Sequence, residues 1–167
     1  MQLFPSPKAS NKDALIGAIG AALGMAITWL VCDALLDSVS PILALSMGAS
    51  AVILFTMPHA PAAQPVPLIL AHCVAAFWGV LSAQLFDNTA LAVGIAVGVH
   101  AGLMVRFGYM HPPSGGTALT AVIGGEAVTK LGYSFIWLPV LLNAVLLVLL
   151  AMVINAPFAW RRYPAKS

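Results

Sequence analysis

Four apolar stretches, each long enough for a helix to cross a lipid bilayer, constrain this chain more than any other feature. They cover residues 13–32, 66–86, 89–108 and 134–157. An α-helix rises about 1.5 Å per residue, so about 20 apolar residues cross the hydrocarbon core of a bilayer. The sequence therefore predicts at least four membrane-spanning helices.

The scarcity of charge leads to the same class of protein. Of the 167 residues, 61% are hydrophobic and 7% are charged, whereas a soluble domain has about 25% charged residues. Such a chain cannot cover a water-facing surface with polar side chains. We predict an integral membrane protein that is an all-α, polytopic helix bundle.

Two shorter apolar segments, 41–57 and 114–129, complete a set of six. At about 1.5 Å per residue each would extend only about 25 Å, as expected of a short span or a re-entrant half-helix. The fold prediction is therefore four full-length helices plus two short or half-length helices.

The positions of lysine and arginine favour six crossings over four. With a cytoplasmic N-terminus, six crossings leave Lys130 outside and place six basic residues in the cytoplasm, namely Lys8, Lys12, Arg106, Arg161, Arg162 and Lys166. Four crossings with two re-entrant segments would move Arg106 outside. Both topologies keep the termini cytoplasmic, and we expect a bacterial inner membrane.

The chain divides into an N-terminal tail at 1–12, a transmembrane domain at 13–157 and a C-terminal tail at 158–167. Within the domain, Gly48-Ala49-Ser50 in the second segment resembles Gly115-Gly116-Thr117 in the fifth. Short, interrupted segments at matching places in two halves of a chain indicate a transporter binding site. The halves here would be 13–86 and 89–157. Because each half has three spans, an odd number, the repeat would be inverted. The alternative is chance likeness between helices rich in small residues.

The segment from 109 to 119 interrupts the apolar pattern with His111, two prolines and two glycines. Proline cannot occupy a helix interior without breaking it, but it suits a helix start. A helix that begins near Ser114 would present free amides, which form an anion site together with the helix dipole. We therefore predict a binding site for a small anion. The residues that contact the anion would be His111, Pro113, Ser114, Gly115, Gly116 and Thr117. The alternative is an ordinary capping loop.

A second candidate lies in the proline-rich loop at 57–67, which contains His59 and Gln64. We expect Gln64 and Ser50 to add donors to the anion site from the other half of the chain. The alternative is a stiff connector.

Ionisable residues at membrane depth indicate function. The candidates for a proton relay or a gate are His59, His72, His100 and Arg106. For the two histidines within apolar helices, His72 and His100, the alternative is a neutral ring bonded to a neighbouring carbonyl.

Other classes of chemistry lack their motifs. The sequence has no zinc-protease, P-loop or nucleophile-elbow pattern, so we predict no enzyme, no catalytic residue and no cofactor. The four histidines match no metal-ligand spacing, and no basic run suggests nucleic acid.

Glycines at intervals of four, such as Gly94, Gly98 and Gly102, allow close helix packing within the bundle or between copies. Because a chain with so few spans makes a narrow bundle, we expect a homo-oligomer, most simply a two-fold dimer.

The chain resembles the HPP family of integral membrane proteins. One block of the resemblance covers 110–119 and includes His111-Pro112-Pro113. The other covers 47–55 and continues through Pro58 and Pro61 to Ala63-Gln64-Pro65. The resemblance implies four spanning helices and, because members in plastids and cyanobacteria are associated with nitrite transport, a role in nitrite transport.

The function expected from these features is a transporter or channel for a small inorganic anion, with nitrite as the leading substrate. The alternative is a non-transport structural, assembly or sensor subunit of a membrane complex.

Overall fold

A computed structural model describes residues 10–36 and 40–165. These residues contain seven α-helices and no strand. The helices are α1 (Asn11–Leu36), α2 (Ser40–Thr56), α3 (Pro65–Leu85), α4 (Thr89–Phe107), α5 (Ser114–Ile123), α6 (Glu126–Thr129) and α7 (Leu142–Asn155). Short 3₁₀ turns at Pro61–Ala63 and Ala159–Arg161 and a π-helical segment at Ile136–Leu141 complete the described fold. Most of the predicted N-terminal tail lies outside the described residues.

Within residues 10–36 and 40–165, four helical stretches are long and apolar enough to cross a membrane, as the sequence predicts. They are Asn11–Leu35, Pro65–Leu85, Thr89–Phe107 and Ile136–Asn155. Two shorter apolar helices, Ser46–Thr56 and Ser114–Ile123, accompany them. The exposed apolar stripe of α1, which includes Leu15, Ile19 and Leu23, suits a lipid-facing surface because lipid tails are as apolar as these side chains.

The predicted short segment 114–129 contains the half-length helix α5 and then α6, because glycines end α5 after Ile123. Gly125 has φ 73°, a left-handed conformation that a residue with a Cβ atom adopts at a cost. The short helix α6 then starts at Glu126.

The predicted segment 134–157 is also interrupted. Leu138 has extended backbone (φ −128°, ψ 114°) directly before Pro139, as the ring of a following proline requires. Regular α-helix resumes only at Leu142.

Both ends of the described chain lie at the same end of the bundle. Trp160 Nε1 donates to Asp13 Oδ1 at 2.9 Å, and Arg161 donates to the same oxygen at 3.2 Å. Tyr163 Oη donates to the Ala63 carbonyl at 2.7 Å, which places the proline-rich loop there as well. The cytoplasmic assignment of this end stays a prediction.

Glycines on α1 form a groove for the aromatic ring of Phe55 on α2. A Cβ atom at Gly20 would lie 2.6 Å from Phe55 Cδ1, and one at Gly24 would lie 2.5 Å from Phe55 Cε2. Phe55 is fully buried there. These two glycines therefore serve packing within the bundle.

The central helix is α3, which packs against α4, α5 and the C-terminal helical segment. Its contact with α4 and α5 is built from alanines, Ala75, Ala96 and Ala118, all fully buried. Small side chains let three helix backbones approach closely. Polar side chains on neighbouring turns of these helices are thereby brought within hydrogen-bond distance.

The glycines of α4 have a different environment. Cβ atoms built at Gly94, Gly98 and Gly102 would meet no atom within 4 Å. This face is open in the described chain.

Candidate functional site

A buried cluster of polar side chains lies where α2, α3, α4 and α5 meet the loop between α4 and α5. We call it the histidine–hydroxyl network. Each member is at most 2% exposed. The members are Ser46, Ser50, His72, His100, His111, Ser114 and Thr117. The sequence predicts six of these seven as functional residues, on five different parts of the chain.

His72 on α3 is held between hydroxyls from two other helices. Its Nε2 atom lies 2.9 Å from Ser50 Oγ on α2, and its Nδ1 atom lies 2.7 Å from Thr117 Oγ1 on α5. Ser50 and Thr117 occupy matching positions in the two similar sequence motifs. The motifs thus meet on one imidazole ring, while the inverted symmetry of the halves stays a prediction.

His111, in the loop before α5, bridges this centre to the proline-rich loop. Its Nδ1 atom lies 2.6 Å from the Ala62 carbonyl oxygen and its Nε2 atom 2.9 Å from Ser50 Oγ. The rings of His111 and His72 are 5.1 Å apart. Burial lowers the pKa of His111 below its usual value, and the hydrogen bond to the Ala62 carbonyl offsets only part of this effect.

His100 on α4 bonds to the start of α5. Its Nε2 atom lies 2.7 Å from Ser114 Oγ, which in turn donates to the His111 carbonyl at 2.6 Å. His100 Nδ1 is buried and has no hydrogen-bond partner in the described part of the chain. An unpaired buried polar atom costs about 1–3 kcal/mol, so this nitrogen is an expensive feature of the fold.

Sequence reasoning missed Ser46. Thr117 Oγ1 lies 3.0 Å from Ser46 Oγ, and a Cβ atom at Gly116 would lie 3.0 Å from Ser46 Cβ. Gly116 therefore allows α5 to approach α2 at this point. The available signal was spacing, since Ser46 lies one helical turn before Ser50 and so shares its face.

The free amides predicted at the start of α5 are already paired, so that part of the prediction is wrong. The Ser114 amide donates to the His111 carbonyl at 3.1 Å, and the Gly115 and Gly116 amides donate at 3.0 Å to the carbonyls of Pro112 and Pro113. The two prolines extend the helical hydrogen bonding backwards by one turn. The polar groups that a ligand could contact at the start of α5 are side chains rather than backbone amides.

Gln64 lies outside the network and shapes the proline-rich loop. Its side-chain nitrogen donates at 3.0 Å to the carbonyls of Pro58 and Ala60, and its side-chain oxygen accepts from the Ala165 amide at 2.9 Å. These bonds hold the loop whose Ala62 carbonyl accepts from His111.

The structure places the remaining candidates away from the network. His59 is exposed and lines a cavity of about 320 Å³ together with Asp13 and Arg161. Arg106 is exposed in the last turn of α4, with its guanidinium 5.5 Å from the Phe107 ring. Pro113 precedes α5, has no amide donor and is partly buried.

The network is built from neutral hydroxyls and imidazoles, with no carboxylate, lysine or arginine among its seven members. Within the described residues, no group of three or more histidine, cysteine, aspartate or glutamate side chains is arranged to hold a metal ion. The chemistry available at the site is hydrogen bonding and proton binding.

A family model described as "HPP, transmembrane region" matches residues 6–164. The chain belongs to the HPP family. It is an integral membrane protein, and the network joins residues from both sequence blocks that carry the likeness to this family.

Two relatives of this HPP protein are transmembrane proteins of Dictyostelium discoideum. One is 37% identical over 133 residues, which cover 77% of this chain and 46% of the relative. The other is 36% identical over 128 residues, which cover 71% of this chain and 39% of the relative. The chain spans less than half the length of these relatives, and no solved structure matches it.

Proposed function

We propose that this HPP protein is a transporter or channel for a small inorganic anion, with nitrite as the leading substrate, and that it performs no enzymatic reaction. The observation that carries the proposal is the histidine–hydroxyl network, where the two family blocks meet inside the bundle. Ionisable side chains buried in membrane proteins mark substrate and ion pathways. The choice of nitrite as the leading substrate rests on the association of the family with nitrite transport.

The donors for the anion are side chains. The hydroxyls of Ser50, Ser114 and Thr117 and the N–H groups of the imidazoles replace the water around a monovalent anion, because hydrogen bonds to an ion are about twice as strong as neutral ones. No carboxylate belongs to the network to repel a negative charge. The amides of Gly115 and Gly116 keep their helical partners.

Access requires movement, because the network is buried. The Ala62–His111 hydrogen bond at 2.6 Å joins the two proline-containing loops over it. In the proposed cycle these loops separate, and α5 shifts about the glycines that end it, Gly124 and Gly125. A short helix with a glycine break suits such a motion because few helical hydrogen bonds must change.

We place the protein in a bacterial inner membrane with both termini in the cytoplasm, following the positions of lysine and arginine. The proline-rich loop then opens to the cytoplasm, since it lies at the same end of the bundle as Asp13 and Trp160.

Uptake of labelled nitrite into liposomes that contain the purified protein tests the proposal. We expect uptake faster than into empty liposomes at neutral and alkaline pH, where nitrite crosses lipid slowly as the anion. Thr117→Val, which removes one network hydroxyl, should reduce the rate. Thr129→Val is the matched control because Thr129 is exposed on α6. Uptake no faster than into empty liposomes across pH values and ion gradients would refute the nitrite proposal.

The open glycine face of α4 supports a second proposal, that the protein is a homodimer through Gly94, Gly98 and Gly102. We expect the mass of a dimer after crosslinking in mild detergent, and a shift to monomer in Gly98→Leu with the helical content unchanged. A monomeric wild type would contradict it. Recovery only with a foreign protein would favour the alternative role as an assembly or sensor subunit.

A further inference from the structure

The hydroxyl of Ser50 has one hydrogen atom and three neighbours that compete for it. Its Oγ atom lies 3.0 Å from the Ser46 carbonyl oxygen, 2.9 Å from His72 Nε2 and 2.9 Å from His111 Nε2. A hydroxyl donates once and accepts up to twice. The protonation of the two rings therefore depends on the direction in which Ser50 donates.

The protonation of one nitrogen in this set is fixed by its hydrogen-bond partner. His111 Nδ1 faces the Ala62 carbonyl oxygen at 2.6 Å, and a carbonyl only accepts, so Nδ1 carries a hydrogen. If His111 is neutral, its Nε2 atom is bare and must accept from Ser50. If Ser50 instead donates to the Ser46 carbonyl or to His72, then His111 Nε2 must carry a hydrogen, and the ring is an imidazolium.

We infer that His111, Ser50 and His72 form a binding site for one proton, with the Ser50 hydroxyl as its switch. In the neutral form Ser50 donates to His111 and accepts from His72. In the protonated form Ser50 turns its hydrogen to the Ser46 carbonyl and accepts from both rings. Every nitrogen of the two rings has a hydrogen-bond partner in both forms, so a rotation of one hydroxyl accommodates the proton.

The proton can also pass between the rings. The step starts from the tautomer in which His72 carries its hydrogen on Nδ1 and donates it to Thr117 Oγ1, while Thr117 donates to Ser46 Oγ, 3.0 Å away. Ser50 then donates to the bare His72 Nε2 atom and accepts from His111 Nε2. The N–H bond of His111 Nε2 breaks as its proton moves to Ser50 Oγ, while the hydrogen of Ser50 moves to form an N–H bond at His72 Nε2. The charge moves from the loop to α3 with no change in the total number of protons.

His100 is excluded from this site by the same reasoning. Ser114 donates to the His111 carbonyl, so His100 Nε2 donates to Ser114. A second proton on His100 would sit on Nδ1, which has no partner in the described structure. A buried cation needs an acceptor for each N–H group, and His100 lacks one.

Few titratable groups face the pair. His100 approaches from α4, and Tyr109 packs on Ala71 and Met104 beside it. The hydroxyl of Tyr163 bonds the Ala63 carbonyl, next to the carbonyl that His111 uses. The helices α2 and α5 contribute neutral hydroxyls, Ser50 and Thr117. The two histidines and the serine between them are therefore the proton acceptors of this region.

The test is a pH titration of ¹⁵N-histidine-labelled protein in lipid nanodiscs, followed by NMR. The His59→Gln background removes the signals of the exposed ring. We expect a single imidazolium to appear, assigned to His111 and His72 by its loss in His111→Gln and His72→Gln. His100 should stay neutral over the whole range.

Ser50→Ala is the decisive variant. It removes the acceptor for the imidazolium N–H, so the midpoint for His111 should fall by about one pH unit, a tenfold loss of proton affinity. Ser50→Thr keeps the hydroxyl and should restore the wild-type midpoint. Circular dichroism checks that each variant is folded.

Two results would overturn the inference. One is a folded His59→Gln protein in which no imidazolium appears between about pH 4 and pH 8, the range in which histidine titrates. The other is a folded Ser50→Ala variant with the wild-type midpoint.

The use of this proton in transport rests on the proposed function and has its own readout. Nitrite uptake by the wild-type protein should then rise with an inward proton gradient. An imidazolium in the NMR titration without any nitrite uptake would reject the proposed function and leave the proton site standing. Uptake that ignores the gradient would reject the coupling alone.

Discussion

Replacing Gly79 with leucine is expected to prevent α5 from packing on α3 and to yield aggregated protein in detergent. A Cβ atom at Gly79 would lie 2.5 Å from Ala121 Cβ and 2.7 Å from the Ala118 carbonyl oxygen. The carbonyl is backbone within a helix, so it cannot rotate away as a flexible side chain would. Because α5 carries Ser114 and Thr117, the network would come apart with the helix pair.

The smaller change Gly79→Ala makes the prediction quantitative. Overpacking of a tight contact costs about 1–3 kcal/mol, and the better helix propensity of alanine returns at most about 1 kcal/mol. Unfolding by SDS in mixed micelles should therefore occur at a lower SDS fraction than for the wild type. Gly48→Ala is the matched control, since a Cβ atom there meets nothing within 4 Å. Wild-type stability in Gly79→Ala would contradict the close packing of α3 and α5.

Arg161→Ala is expected to destabilise the protein by about 2–4 kcal/mol because it leaves buried acceptors unpaired. Arg161 is 4% exposed. Its Nε atom donates to Asn155 Oδ1 at 3.0 Å, and its guanidinium also donates to the Phe55 carbonyl. The more exposed partner, Asp13, contributes little to this cost because water screens the pair.

Two companion variants separate geometry from charge. Arg161→Lys keeps the charge but cannot reach two or three acceptors at once, because only the guanidinium has a planar fork of donors. It should therefore recover only part of the stability. Arg162→Ala, at an exposed neighbouring position, should unfold at the wild-type SDS fraction. Equal unfolding of Arg161→Ala and wild type would show that the C-terminal segment does not hold the helices together.

The helices could be predicted from the sequence because their cause is local. Apolar runs of about 20 residues leave the backbone no partner in lipid except its own carbonyls, so four long helices follow from composition and length alone. The two shorter ones follow as well. The break at Leu138 was missed, although the pre-proline position at 138 carries the signal for it.

The sequence predicts most of the residues of the candidate site, but it does not predict the hydrogen bonds between them. His72 and His100 are costly at membrane depth, and the residues around His111 interrupt an apolar pattern. The prediction of free amides at 114–116 is wrong because the residues before Ser114 already accept hydrogen bonds from this helix. The carbonyls of Pro112 and Pro113 accept from the amides of Gly115 and Gly116. Gln64, a polar residue in a proline-rich loop, was assigned to the anion and instead bonds its own loop.

The sequence by itself determined that this protein lies in a membrane. It also determined that the polar side chains are concentrated at a few places along an apolar chain. Only the tertiary structure decided which of them lie within hydrogen-bond distance of one another. The partners of His72 and His111 are 22, 45, 49 and 61 residues away along the chain. No local pattern encodes such pairs, because they depend on how closely alanine and glycine faces let three helices approach. The three contacts of Ser50 Oγ and the one-sided bonding of His100 follow from that approach.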